Sequence, residues 1–229
     1  MSSVESKNNG RVHSVKIREG LTWSDGQPLT SDDIVFTIKT IQNPEAQSPV
    51  AEEWLGVSAD RVSELQVDFT FPMPYSFFEH DLARLRPIPK HIFEKIPAQN
   101  FRLSDYSLKP ITSGLYQVAN FSQGKNGFIT EYHLTADAHN FENPPFIKNF
   151  YFVFFENQDA LFSSFKLRQI DGFVSLNPLP QNTLAELNEF ATVRFLPTTR
   201  YYALFFNLEK NLILKNKKIR NALNESIPR

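Results

Sequence analysis

The strongest constraint on this chain is the alternation of Leu65, Val67, Phe69 and Phe71 with Gln66, Asp68 and Thr70. Successive side chains of an extended backbone point to opposite faces, so this pattern specifies a half-buried strand. Val15 and Ile17, set against Ser14, Lys16 and Arg18, predict a second strand by the same rule. Between the two the period changes. Trp23-Ser24-Asp25-Gly26 predicts a tight turn, since Asp-Gly readily supplies a positive φ. Thr30, three residues before Asp33, then precedes Ile34, Val35, Ile38 and Ile41 at helical spacing, which predicts a capped amphipathic helix stopped by Asn43-Pro44. A chain that switches between these two periods reads as mixed α and β.

Further along, the segment from Pro72 to Pro97 holds five of the fifteen prolines and predicts a helix followed by a proline-punctuated connection. A hairpin is expected from Leu115 to Phe121 and from Phe128 to Leu134, turning at Gly124 to Gly127. The continuous apolar run Phe150 to Phe155 suits a strand buried on both faces. Asn157 predicts the cap of a helix bearing Leu161, Phe162 and Phe165. Short strands at Phe173-Val174, Val193 to Leu196 and Tyr201 to Phe206, and helices near Leu184 and near Ile219, complete the expected order. No internal repeat occurs.

Composition narrows the function. The 229 residues, 41% of them hydrophobic, suffice for one large domain or two small ones with a sizeable core. A formal net charge of −1 argues against a nucleic-acid partner. No run approaches the roughly 18 apolar residues of a membrane span. The first residues lack the apolar core of a secretory signal, so any such signal is expected to be removed or to lie elsewhere. The absence of cysteine excludes disulfides, thiolate metal sites and cysteine nucleophiles. Residues 209–229 carry four lysines and two arginines against two glutamates, which we read as a solvated helix face. The last helix has an apolar stripe with no later element to cover it, so the chain is expected to be a fragment of something longer.

Catalytic constellations are lacking. There is no glycine-rich phosphate loop followed by lysine, no GxGxxG, no GxSxG and no HExxH. Glu131, His133, Asp137, His139 and Glu142 have metal-like density, and Glu131 and His133 would share a strand face, but a polar strand running into a loop explains them better. Asp25, Asp32 and Asp33 are explained by turn and cap duty. The chain is expected to be no enzyme and to need no cofactor or metal.

The order of the blocks carries more. Arg18, Gly20, Trp23, Ser24, Asp25, Gly26, Pro28, Leu29, Thr30, Asp32, Asp33, Val35 and Phe36 resemble the opening block of the family 5 bacterial extracellular solute-binding proteins, the peptide, dipeptide and nickel receptors of ABC importers. Pro87-Ile88-Pro89-Lys90-His91, Ser113-Gly114-Leu115-Tyr116-Gln117-Val118, Asp159-Ala160-Leu161 with Ile170-Asp171, and Phe205-Phe206-Asn207 with Ile219-Arg220-Asn221-Ala222-Leu223 resemble later blocks of that family, in its order. The resemblance covers roughly residues 11 to 227. Departures occur: Leu115 stands where the family has proline, Gln169 replaces a glycine, Ala138-His139-Asn140-Phe141 replaces Pro-Asn-Tyr-Trp, and Pro228 replaces an aspartate.

The resemblance implies a fold of mixed α/β class, part of a type II periplasmic-binding-protein clamshell lacking most of the second lobe. Residues 1–12 would be an N-terminal extension, 13–105 the family's small extra domain, 106–207 part of the first lobe and 208–229 the start of the second. It implies capture of a small solute, an oligopeptide or dipeptide, outside the cytoplasm and its delivery to an ABC permease in the membrane. The full-length protein would be periplasmic or on the outer face of the cell membrane, lipid-anchored or free. By the same resemblance Trp54, Phe173, Asn177, Tyr201 and Tyr202 are candidate ligand contacts; the polar neighbours of Trp54 suggest partial exposure. The solute stays open among peptide, nickel chelate and sugar. A sensing or adhesion module on the same fold, and a metal-dependent hydrolase using His133 and His139, are the alternatives.

Overall fold

The two alternating segments pair in one antiparallel sheet. A computed structural model describes residues 3–137, 145–175, 179–195 and 203–227. In it β1 (Ser3–Lys7), β2 (Val12–Lys16), β3 (Ser58–Ser63) and β4 (Gln66–Thr70) stand in the order β1-β2-β4-β3. Val15 lies opposite Val67 and His13 opposite Phe69, so the inward faces of β2 and β4 coincide. The helix predicted from Thr30 is α1 (Ser31–Gln42), closed by the capping box of Thr30 and Asp33. It lies against β3 and β4 and buries Ile34, Thr37, Ile38 and Ile41. Trp23, Trp54, Val67, Phe69 and Phe78 belong to the same hydrophobic core.

Both edge strands went unpredicted because they carry little apolar alternation. β1 is polar, and β3 presents Asp60 and Arg61 with a register shift between Arg61 and Ser63. Charge and irregularity on an outer strand discourage pairing with other chains. The proline-punctuated connection holds α2 (Phe78–Arg84) and α3 (Lys90–Phe93). Phe78 of α2 stacks on His13 with ring centroids 4.4 Å apart. Ahead of α2, the Tyr75 hydroxyl donates to Asp81; that bond, with burial and the nearby carboxylate charge, raises the phenol above its usual pKa of 10.0.

The expected hairpin is β5 (Tyr116–Gln123) and β6 (Ile129–Ala136), joined through Gly127 at φ 82. β7 (Asn149–Val153) adds a third antiparallel strand beside β6. Its expected burial on both faces is corrected: Phe150, Tyr151, Phe152 and Val153 are 37 to 52% exposed. An apolar run specifies the extended backbone, whereas burial requires a covering layer, and β7 is an edge strand here.

Asn157 caps α4 (Gln158–Lys166), its Oδ1 accepting the Ala160 N–H at 2.9 Å. The helix closes in a Schellman pattern, Gln169 N–H to the Ser164 carbonyl at 2.9 Å and Arg168 N–H to that of Phe165 at 3.0 Å. The left-handed residue is Arg168, at φ 58, rather than glycine. Its Cβ crowds a carbonyl, so Arg168→Gly is expected to raise stability by about 0.5–1 kcal/mol, after allowance for the greater freedom of the unfolded chain. Urea unfolding followed by far-UV circular dichroism checks this; an unchanged or lower midpoint contradicts it.

The chain divides into two compact units, Met1–Phe173 and Val174–Arg229. In the second, α5 (Gln181–Asn188) buries Leu187, and α6 (Lys217–Glu225) is capped by Asn216. The short strands expected at Phe173-Val174, Val193 to Phe195 and Ala203 to Phe206 are not formed, because no partner strand pairs with them among the described residues. Tyr201, Tyr202 and Leu196 lie outside those residues. Arg220 donates to the carbonyls of Leu214 and Lys215, so one charge of the basic segment ties α6 to the turn before it. No helix of the described residues is long and apolar enough to cross a membrane.

Candidate functional site

The segments that carry the sequence blocks meet in space. Asp33 is 4% exposed and uses both carboxylate oxygens: Oδ2 accepts the Thr30 N–H at 2.9 Å, and Oδ1 accepts the Lys90 N–H at 2.8 Å. One turn on, the Thr37 hydroxyl donates to the Asp33 carbonyl at 2.7 Å and accepts the Ile88 N–H at 2.9 Å. The first helix thus holds the Pro87–His91 segment through its buried polar atoms. The Trp23–Gly26 turn joins the same assembly. His91 Nε2 lies 2.7 Å from Asp25 Oδ2, Asp25 Oδ1 accepts the Gln27 N–H at 3.1 Å, and Ser24 exchanges two bonds with the backbone of Thr112 at 2.7 and 3.1 Å.

An open cavity of about 890 Å³ lies beside this assembly. Ser24, Asp25, Asn100, Asp105, Lys109 and Gln117 supply its polar rim. Carboxylates and an ammonium on one rim, next to apolar wall residues, make a mixed polar and apolar surface. Asp25 and Asp33 perform the turn and cap duties expected of them, whereas Asp32, in the first turn of α1, pairs with Arg61 at 3.6 Å.

Of the five candidate ligand contacts, two fall among the described residues. Trp54 ends a single 3-10 turn, Glu52–Trp54, and is 2% exposed, so the expected partial exposure is corrected. The turn directs Glu52 and Glu53 outward and the indole inward, to within 5.9 Å of the Phe69 ring. Gln42 fixes this turn by donating to the carbonyls of Trp54 and Val57 at 2.7 and 2.6 Å. Phe173 is half-buried, its ring edge-on to Phe162 at 5.5 Å and Phe165 at 5.1 Å, both from α4. No described ring contact joins it to Trp54. Asn177, Tyr201 and Tyr202 lie outside the described residues.

The metal-like cluster does not assemble among the described residues, where no three His, Asp or Glu side chains could hold an ion. His133 instead stacks on Tyr151 at 4.4 Å and meets Asn149 Oδ1 at 3.0 Å; His139 and Glu142 lie outside the described residues. Sequence reasoning found the cap role of Asp33 but missed its bond to Lys90 and the contact of Asp25 with His91. Partners 57 and 66 residues apart leave no local pattern; the only available signal was the order of the blocks.

Comparison with known proteins agrees with that order. The family model for the bacterial extracellular solute-binding proteins, family 5 (middle), matches residues 1–229. The oligopeptide-binding protein AppA of Bacillus subtilis is 25% identical over 238 aligned positions, covering 99% of this chain and 41% of that protein. The crystal structure of the ABC transporter substrate-binding protein CtaP from Listeria monocytogenes aligns with a TM-score of 0.70 at 27% identity, over 84% of this chain and 38% of that one. NikZ from Campylobacter jejuni, in complex with Ni(L-His), aligns with a TM-score of 0.76 at 24% identity, over 99% of this chain and 44% of that one, a likeness of fold. The chain spans less than half the length of each of these proteins. Its mixed α/β architecture corresponds to part of a type II binding protein. The chain belongs to the bacterial extracellular solute-binding proteins, family 5.

Proposed function

We propose that this chain forms part of an ABC-transporter substrate-binding protein that captures an oligopeptide or dipeptide outside the cytoplasm and delivers it to a membrane permease. The observation that carries the reading is the match of the family model to residues 1–229. The oligopeptide-binding name of the AppA relative supports a peptide over the nickel chelate of NikZ, whose likeness is one of fold. On this reading residues 13–105 are the small extra domain, 106–207 part of the first lobe and 208–229 the start of the second. Phe173, Asn177, Tyr201 and Tyr202 approach the solute, while Trp54 backs the wall from the core. Peptides are held chiefly through their backbone, with aromatic walls that tolerate varied side chains. The protein acts by binding and handing over rather than by catalysis.

Affinity in a clamshell arises from enclosing the ligand between two lobes, so a chain carrying one wall loses most of it. Isothermal titration of the full-length protein with tri- and pentapeptides is expected to give saturable heat, and residues 1–229 alone little or none. Saturation by nickel–histidine and not by peptide overturns the peptide reading. Micromolar peptide binding by residues 1–229 overturns the need for both walls.

A further inference from the structure

The chain contains two Asn-Gly pairs, Asn9-Gly10 and Asn126-Gly127, each in the turn of a hairpin. Asn-Gly is the pair most prone to spontaneous loss of the side-chain amide, because glycine leaves its own nitrogen sterically open to attack the neighbouring carboxamide. The two pairs differ in how firmly the reacting groups are held. Asn126 Oδ1 accepts the Phe128 N–H at 3.0 Å, and the Gly127 N–H donates to the Gly124 carbonyl at 3.0 Å. Electrophile and nucleophile are therefore both engaged, whereas at the first pair the Gly10 N–H closes the 3-10 turn Asn8–Gly10 and the carboxamide is the group left unheld. Asn9 is exposed, and no described hydrogen bond engages its side chain. It also sits in a run of three left-handed residues, Asn8 at φ 50, Asn9 at φ 54 and Gly10 at φ 81. Asparagine tolerates this conformation better than most residues, but as single residues rather than in runs, so opening this turn relieves strain.

We propose that Asn9 is a site of spontaneous deamidation and isoaspartate formation, and that Asn126 is protected. The Gly10 nitrogen gives its proton to solvent base and attacks Asn9 Cγ. A C–N bond forms, the bond from Cγ to the amide nitrogen breaks, and ammonia leaves, so a five-membered succinimide remains. Water then opens either carbonyl, giving aspartate or isoaspartate, with no change of oxidation state. The consequence is local. The Gly10 carbonyl accepts the Tyr75 N–H at 2.9 Å and meets His13 Nε2 at 3.2 Å, which fixes the β1–β2 turn against the segment before α2. Isoaspartate adds a backbone methylene directly before Gly10 and moves that carbonyl out of reach of both.

The test is incubation of the 229-residue chain at mildly alkaline pH, with peptide mapping by mass spectrometry and detection of isoaspartate over time. In concentrated urea the two pairs are expected to react at similar rates, which supplies the internal reference. In the folded chain Asn9 is expected to react about tenfold faster than Asn126, because each glycine N–H closes its own turn but only the Asn126 carboxamide must also release a hydrogen bond, that from the Phe128 N–H. Asn9→Gln should abolish modification at position 9 and leave Asn126 slow. Equal rates in the folded chain, faster reaction at Asn126, or isoaspartate at neither position overturns the proposal.

Discussion

Replacing Phe69 by alanine is expected to destabilise the Met1–Phe173 unit by about 3–5 kcal/mol. Phe69 is 0% exposed and stands where three elements meet: β4 carries it, Trp54 lies 5.9 Å away and Phe78 5.1 Å away between ring centroids. Removing the ring withdraws the surface on which both neighbours pack, and backbone hydrogen bonds to β2 and β3 keep β4 from collapsing into the space. Both tryptophans of the chain, Trp23 and Trp54, lie in this core, so fluorescence reports its unfolding directly. The urea midpoint should fall by roughly 2 M. A shift below about 0.5 M would mean that the aromatic cluster is not the main source of stability.

Asp33→Ala is expected to cost about 2–4 kcal/mol, the sum of a lost cap of about 1 kcal/mol and an orphaned Lys90 N–H at about 1–3 kcal/mol. The two losses can be separated. Asp33→Asn keeps one acceptor oxygen, so it should retain one bond and cost about half as much. A variant lacking only the receiving hydroxyl, Thr37→Val, leaves the Ile88 N–H without its acceptor at 2.9 Å and should cost about 1–3 kcal/mol. If Asp33→Ala and Asp33→Asn unfold at the same urea concentration, Asp33 acts through charge at the helix start rather than through two acceptor atoms.

The sequence made some of this legible and hid the rest for physical reasons. Period and capping are local, so β2, β4, α1, the β5–β6 hairpin and the Asn157 cap could be read directly. Edge strands escaped because β1 and β3 need no apolar face to pair. Trp54 was misjudged because its neighbours, Glu52 and Glu53, are polar, whereas the direction of a side chain leaving a 3-10 turn depends on backbone geometry that composition does not carry. The apolar run of β7 predicted a strand correctly but not its exposure, which depends on layers contributed from elsewhere. Of the candidate contacts, only Trp54 and Phe173 could be located, and their settings differ: one is core, the other packs on α4.

The bonds from Asp33 to Lys90, from Asp25 to His91 and from Ser24 to Thr112 span 57, 66 and 88 residues. A chimera built on this chain inherits that wiring. A crossover between residues 34 and 86 separates each donor from its acceptor even where both parents fold well, since partners refined together would then come from different parents. Crossovers that keep 24–37 and 88–112 from the same parent should yield far more folded hybrids than breakpoints chosen by local similarity alone.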